Sequence, residues 1–173
     1  MGARQFVFGY GSLAGGGAGR PSRLHGSRRV WGVAMDNRVA IAGYKVYLRA
    51  DGSRPAVFVA FLDVVDEPGA ATDGVLLEVD DEALAALDER ERNYARVDVT
   101  AAVDGAAGGT VWVYRGTGAG RERLRRGIAE GIAVVARAYL ETVRAGYARA
   151  GIGDGAEPGE LPVMDLERID LPA

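Results

Sequence analysis

A strand that runs into glycine and cannot enter a helix constrains this chain more than any other feature. Residues 5–9 (QFVFG) have the aromatic and β-branched content of a strand. They lead into Gly9-Tyr10-Gly11-Ser12-Leu13-Ala14, which fits the G-x-G-x-x-A pattern of a dinucleotide-binding turn. Such a turn requires a helix at once, because the helix N-terminus holds the pyrophosphate. The residues that follow are Gly15-Gly16-Gly17-Ala18-Gly19-Arg20-Pro21. A glycine costs ~1 kcal/mol per helix position against alanine, and a proline ~3 kcal/mol. A helix is not expected there, and a nucleotide-binding doubly wound sheet is disfavoured with it. No Gly-Lys-Ser/Thr follows, so a P-loop fails too. What remains is a strand leaving into a glycine-rich turn. That turn is either a plain flexible connection or a concavity whose backbone N–H groups meet a carboxylate or an oxyanion.

The rest of the chain supplies strands more readily than helices. After a Gly- and Arg-rich loop at 14–29, strand-like runs occupy 30–41, 44–49, 56–65 and 74–79, with Gly43, Asp51-Gly52 and Pro68-Gly69 as turn punctuation. Residues 94–103 and 110–115 read as a strand pair across Gly108-Gly109. Asp80 or Asp81 caps a short helix that ends near residue 91. One long helix is expected over about 120–149, where Leu124, Ile128, Ile132, Val135, Tyr139, Leu140 and Val143 recur at helical spacing. The tail, 151–173, is expected to wrap the surface. These elements predict an α+β fold: a mostly antiparallel, barrel-like mixed sheet of about six or seven strands, with one short helix and one long helix. At 173 residues the chain is expected to form one domain.

Composition removes whole classes of chemistry. There is no cysteine and a single histidine, His25. A cysteine nucleophile and a zinc site built from His and Cys are excluded, and a Ser-His-Asp triad is possible only through His25. The net charge of −3 gives no sign of nucleic-acid binding. No segment has the ~18–20 apolar residues of a membrane span, and no signal-peptide layout opens the chain, so a cytoplasmic protein is the default expectation. Only one lysine, Lys45, stands against 20 arginines, a bias that lowers the weight of any single arginine.

One carboxylate stands out by geometry. In the segment 80–93 (DDEALAALDERERN), Leu84, Leu87 and Glu91 fall on one helical face. Glu89, Arg90 and Arg92 point away, and Asp88 lies on the edge. Glu91 therefore projects toward the core at the last turn, where a glutamate is suited to proton transfer. The competing expectation is that the helix ends earlier and Glu91 pairs with Arg90, Arg92 or Arg96 in solvent.

The stretch F-G-Y-G-S-L at 8–13, followed some 80 residues later by L-D-E-R-E-R-N-Y-A-R-V-D-V at 87–99, resembles the γ-glutamylcyclotransferase superfamily, which includes the avirulence-induced plant proteins. The local sequence looks closer to its bacterial members than to the animal glutathione enzymes. The resemblance covers most of the chain and implies an enzyme. The free α-amine of a γ-glutamyl group would attack its own γ-amide carbonyl, giving 5-oxoproline and a released amine or amino acid. Carried over by position, Tyr10, Gly11, Ser12 and Leu13 would hold the glutamyl moiety, and Glu91 would be the general acid/base. No cofactor or metal is implied. The expected partner is a small γ-glutamyl substrate, with neither nucleic acid nor membrane. Some members also hold substrate with a tyrosine just after the last strand, and the stretch RGTGAGRERL has none. Two alternatives stay open: a non-catalytic binding or interaction module on the same fold, and a cyclotransferase acting on a carrier-bound γ-glutamyl group. Arg20, Arg23, Arg28 and Arg29 are candidate contacts for a substrate carboxylate, although a solvated surface explains them more simply. Tyr94 is as easily a packing residue as a site residue, and Trp112 and Tyr114 read as core.

Overall fold

The computed structural model describes residues 4–16, 19–106, 108–153 and 155–173. Nine strands and three α-helices are seen among them: β1 (Arg4–Gly9), β2 (Arg20–Asp36), β3 (Lys45–Leu48), β4 (Phe58–Val79), α1 (Asp81–Arg90), β5 (Tyr94–Asp98), β6 (Gly109–Gly116), α2 (Gly118–Ala129), β7 (Ala133–Ala136), α3 (Arg137–Ala150), β8 (Val163–Met164) and β9 (Glu167–Asp170). Seven strands make the main sheet in the order β5-β6-β1-β4-β7-β8, with β2 paired to β4. The pairs β1–β4, β2–β4 and β5–β6 are antiparallel and hold most of the register, while β1–β6, β4–β7 and β7–β8 are parallel. The mixed, mostly antiparallel α+β architecture is the one expected from the sequence. Strands β3 and β9 form a separate two-stranded ribbon.

β4 is the spine, and its sequence explains why. Every residue from Phe58 to Val64 is buried. Phe58, Ala60, Leu62 and Val64 face a core completed by α3, through Leu140, Val143 and Tyr147. Val59 and Phe61 face a second core with Val33, Met35, Tyr47 and Leu166. A strand covered on both sides reads as a continuous apolar run, and its alternation separates two cores rather than core from solvent. Asp63, fully buried in the same run, accepts from the N–H groups of Val64 (2.8 Å) and Gly116 (2.7 Å) through Oδ1 and from Arg121 Nε (3.0 Å) through Oδ2. It ties β4 to β6 and α2.

Four expectations are corrected. Of the loop expected over 14–29, residues 17 and 18 lie outside the described residues, and 20–29 are the first half of β2, which pairs with β4 across bulges at His25/Ser27 and Trp31/Val33. The segments 56–65 and 74–79 belong to a single strand, β4. The long helix over 120–149 is two helices, α2 and α3, separated by the buried strand β7 and by Gly131 at φ +71°. The tail does more than wrap the surface, since β8 joins the main sheet and β9 pairs with β3.

Candidate active site

The glycine turn leaves β1 and tightens into one turn of 3-10 helix over Ser12–Gly16, closed by Ala14 N–H on the Gly11 carbonyl at 3.0 Å. No α-helix starts there, as the glycines predict. As the opening residues of that turn, Ser12 and Leu13 have no helical acceptor behind their N–H groups. The turn is held from below. Tyr147 of α3 places its hydroxyl between the carbonyl oxygens of Tyr10 (3.0 Å) and Asp73 (2.6 Å). Arg29 Nη1 donates to the Tyr10 carbonyl at 3.0 Å, and Arg149 Nη2 donates to the Gly15 carbonyl at 2.8 Å. The Tyr10 side chain is buried and donates to the Tyr114 carbonyl.

Helix α1 reaches the same place from the other direction. Asp80 caps its N-terminus by accepting from Ala83 N–H at 2.8 Å, a device worth about 1 kcal/mol. Leu84 packs with Val7 of β1 and Tyr114 of β6, with Leu87 beside them. Glu91 is the C-cap, with φ −88° and ψ 58°, and its N–H still reaches the Leu87 carbonyl at 2.9 Å. Both sequence expectations for Glu91 hold in part. Its side chain is only 16% exposed, and Arg90 Nε and Nη2 each lie at a long 3.3 Å from Oε1. Asp88, the neighbouring acid, is fully engaged: Oδ1 accepts from Tyr114 Oη at 2.7 Å and Oδ2 pairs with Arg96 at 3.1 Å.

Loop and acid line one cavity of about 310 Å³, formed by Phe8, Tyr10, Gly11, Ser12, Leu13, Leu62, Glu91, Tyr94, Tyr114 and Tyr139. All five residues singled out in the sequence are on its wall. A second compartment of about 590 Å³ shares Ser12, Glu91, Tyr94 and Tyr139 with the first and adds Tyr44, Lys45, Phe61, Arg90 and Arg168. The polar groups differ sharply between the two. Tyrosines dominate the first: Tyr94 donates to the Leu62 carbonyl at 2.6 Å, and Tyr139 Oη accepts from Leu62 N–H at 3.3 Å. Burial raises Tyr10, Tyr94 and Tyr139 well above the ordinary phenol range and pushes Tyr44 up to about 12, so these hydroxyls stay protonated. A Cβ at Gly11 would lie 3.0 Å from Tyr139 Oη, so a larger residue there would displace that hydroxyl by a few tenths of an ångström.

Sequence reading missed Tyr139, Tyr44, Lys45 and Arg168 as site residues. Tyr139 was hidden inside an apolar helical stripe. It stands in the first turn of α3, just after β7. The arginines of β2 line neither cavity: Arg23 pairs with Asp73, Arg28 with Glu67, Arg20 bonds the Gly105 carbonyl, and Arg29 supports the turn. His25 is exposed on β2, with Nε2 at 2.9 Å from Asp104 Oδ1. Among the described residues no group of three His, Asp or Glu side chains is placed to hold a metal ion, and no helix is long and apolar enough to cross a membrane.

Comparison with known proteins bears on the family and the fold. The sequence profile described as "Gamma-glutamyl cyclotransferase, AIG2-like" matches residues 7–132, a stretch that holds both the turn and Glu91. Comparison with curated protein sequences gives no match. Among solved structures, the chain resembles a γ-glutamyl cyclotransferase specific to glutathione from yeast (TM-score 0.55, 16% identity, 90% of this chain and 92% of that one). It also resembles an uncharacterized human protein (TM-score 0.52, 14% identity, 92% and 94%). A third likeness is to a protein described as a γ-glutamyl cyclotransferase (TM-score 0.52, 13% identity, 91% and 93%). These likenesses concern the fold. With the profile covering well over half its length, the chain belongs to the γ-glutamyl cyclotransferase, AIG2-like family.

Proposed function

We propose that the protein is a γ-glutamylcyclotransferase whose glutamyl pocket is the 310 Å³ cavity and whose acid/base is Glu91. The observation that carries this reading is the meeting of Glu91 with the turn Tyr10-Gly11-Ser12-Leu13 on one cavity wall, among hydroxyls that stay neutral. The cavity is small and lined mostly by tyrosine and apolar side chains, which suits a group as compact as a glutamyl residue.

The reaction asks little else of the protein. The nucleophile is the substrate's own α-amine, so a chain without cysteine lacks nothing. Glu91 takes a proton from that amine as it attacks the γ-carbonyl carbon. A C–N bond forms, closing the five-membered lactam. Backbone N–H groups of Ser12 and Leu13, with the Tyr139 hydroxyl, receive the developing oxyanion. Glu91 then returns the proton to the leaving nitrogen as the original amide bond breaks. No water is consumed and no group stays on the enzyme. Holding the substrate folded for ring closure supplies roughly 7–11 kcal/mol of the barrier. One well-placed oxyanion donor contributes about 2.7–4 kcal/mol more.

The test is 5-oxoproline release from a panel of γ-glutamyl dipeptides, glutathione and γ-glutamyl amines. Turnover of at least one, abolished by Glu91→Gln with unfolding behaviour unchanged, supports the reading. Silence across the panel, or Glu91→Gln at wild-type rate, refutes it.

A further inference from the structure

The second compartment is chemically unlike the first. Lys45, Arg90 and Arg168 line it against one carboxylate, Glu91. Two of the three cations already have partners: Arg90 lies beside Glu91, and Arg168 binds Asp170 through Nη2 at 2.7 Å. Lys45 has none. Its Nζ rests 4.2 Å from the Phe61 ring centroid and 5.5 Å from that of Tyr44, and among the described residues no carboxylate lies within ion-pair distance of it. The ribbon register sets Lys45 opposite Asp170 and Tyr47 opposite Arg168, so Lys45 and Arg168 are diagonal neighbours on one face. Two cations are thus held close in a partly buried pocket, with their repulsion relieved only in part by Glu91 and Asp170.

The two compartments meet at Glu91, Ser12, Tyr94 and Tyr139. An acid that must reach the leaving nitrogen has to stand where glutamyl and leaving group join. If the smaller cavity takes the glutamyl moiety, the leaving group extends into the larger one. We propose that this larger compartment is the leaving-group subsite, and that Lys45 with Arg168 selects substrates whose departing amine carries a carboxylate. Such substrates are γ-glutamyl amino acids and peptides, as opposed to γ-glutamyl amines without an acid. The proposal rests on the cyclotransferase reading for its turnover measurements and stands apart from it in binding.

Lys45 titrates at about 8, lowered by burial first and by Arg168 and Arg90 next, against the opposing pull of Glu91 and Asp170. Its charge is therefore present at neutral pH and lost as pH rises through that value.

The experiment compares γ-glutamyl-alanine with γ-glutamyl-alaninamide, which differ only in the terminal acid. The wild type is expected to favour the acid by about tenfold or more in kcat/KM, the size of one charge-assisted hydrogen bond, and chiefly through KM. Lys45→Met should bring the ratio toward one, Lys45→Arg should keep most of it, and in the wild type it should fall as pH passes about 8. Equal use of the two compounds, or a Lys45→Met loss that strikes both alike, overturns the proposal. A ratio flat through pH 8 removes Lys45 from it. If neither compound yields 5-oxoproline, the cyclotransferase reading fails, and calorimetry of the same pair decides the subsite: about tenfold tighter binding of the acid, reduced in Lys45→Met, upholds it. Equal binding, or none, overturns it.

Discussion

Gly146 sits in the interior of α3, where a glycine weakens the helix by about 1 kcal/mol relative to alanine. Its reason is the close approach of the turn at Ser12–Gly16. A Cβ at 146 would lie 2.7 Å from the Ala14 carbonyl carbon and oxygen and from Gly15 N, all backbone atoms with no side-chain freedom to yield. Ordinary contact begins at 3.4 Å, so Gly146→Ala must push α3 and the 3-10 turn apart by about 0.7 Å. Overpacking of this kind costs about 1–3 kcal/mol, and the recovered helix propensity returns about 1 kcal/mol. The net destabilisation is about 0–2 kcal/mol, a Tm lower by at most about 8 °C for a chain of this length. Activity should suffer far more. The displaced atoms adjoin Gly11, Ser12 and Leu13, and a misplacement near 1 Å costs up to about a hundredfold in rate. Differential scanning calorimetry and 5-oxoproline release on the same preparation separate the two effects. A variant with raised Tm and undiminished kcat/KM would show that the glycine serves neither the turn nor the site.

Tyr139→Phe removes the acceptor of Leu62 N–H and one candidate oxyanion donor; kcat/KM is expected to fall about a hundredfold while stability drops by only about 1 kcal/mol, read by urea titration beside steady-state kinetics. Asp63→Asn turns an amide toward one of three donors, so chemical denaturation should show a loss on the order of 2 kcal/mol. Lys45 is held at about 8 in the folded chain against the ordinary 10.5 of a free lysine. The unfolded chain thus binds a proton that the folded one releases between those values, and folded stability gains as pH rises through that window. The Tm of the wild type relative to Lys45→Met should accordingly climb from about pH 8 to about pH 10.5 and be flat below, and a constant difference would contradict it.

The sequence displayed the parts of this site whose signals are local. Leu84 and Leu87 with Glu91 make a helical face that can be counted from the chain. The glycines and proline from Gly15 to Pro21 disfavour an α-helix whatever the fold around them. Other parts are set by tertiary context. β2 is rich in arginine because one edge of its run is solvated, and only pairing with β4 makes it a strand. β7 is four buried residues, Ala133–Ala136, whose apolar run continues the stripe of α2 in helical step; periodicity alone cannot part a short buried strand from a helix. Tyr139, Lys45 and Arg168 reach the cavities from elements far apart in the chain, so no spacing announces them.

The ribbon of β3 and β9 is not hydrogen-bonded into the main sheet, yet it carries Lys45 and Arg168. The turn Tyr10–Leu13 and the helix that carries Glu91 are built on β1, β4 and β6, within the profile-matched stretch, as is Lys45; Arg168 and Tyr139 lie beyond it. On the proposed reading, Lys45 and Arg168 recognise the leaving group from a ribbon set apart from the sheet that carries the turn and α1, and the two sides meet at Glu91. Rewriting two short strands would then change what is released without touching the strands that carry the turn and α1.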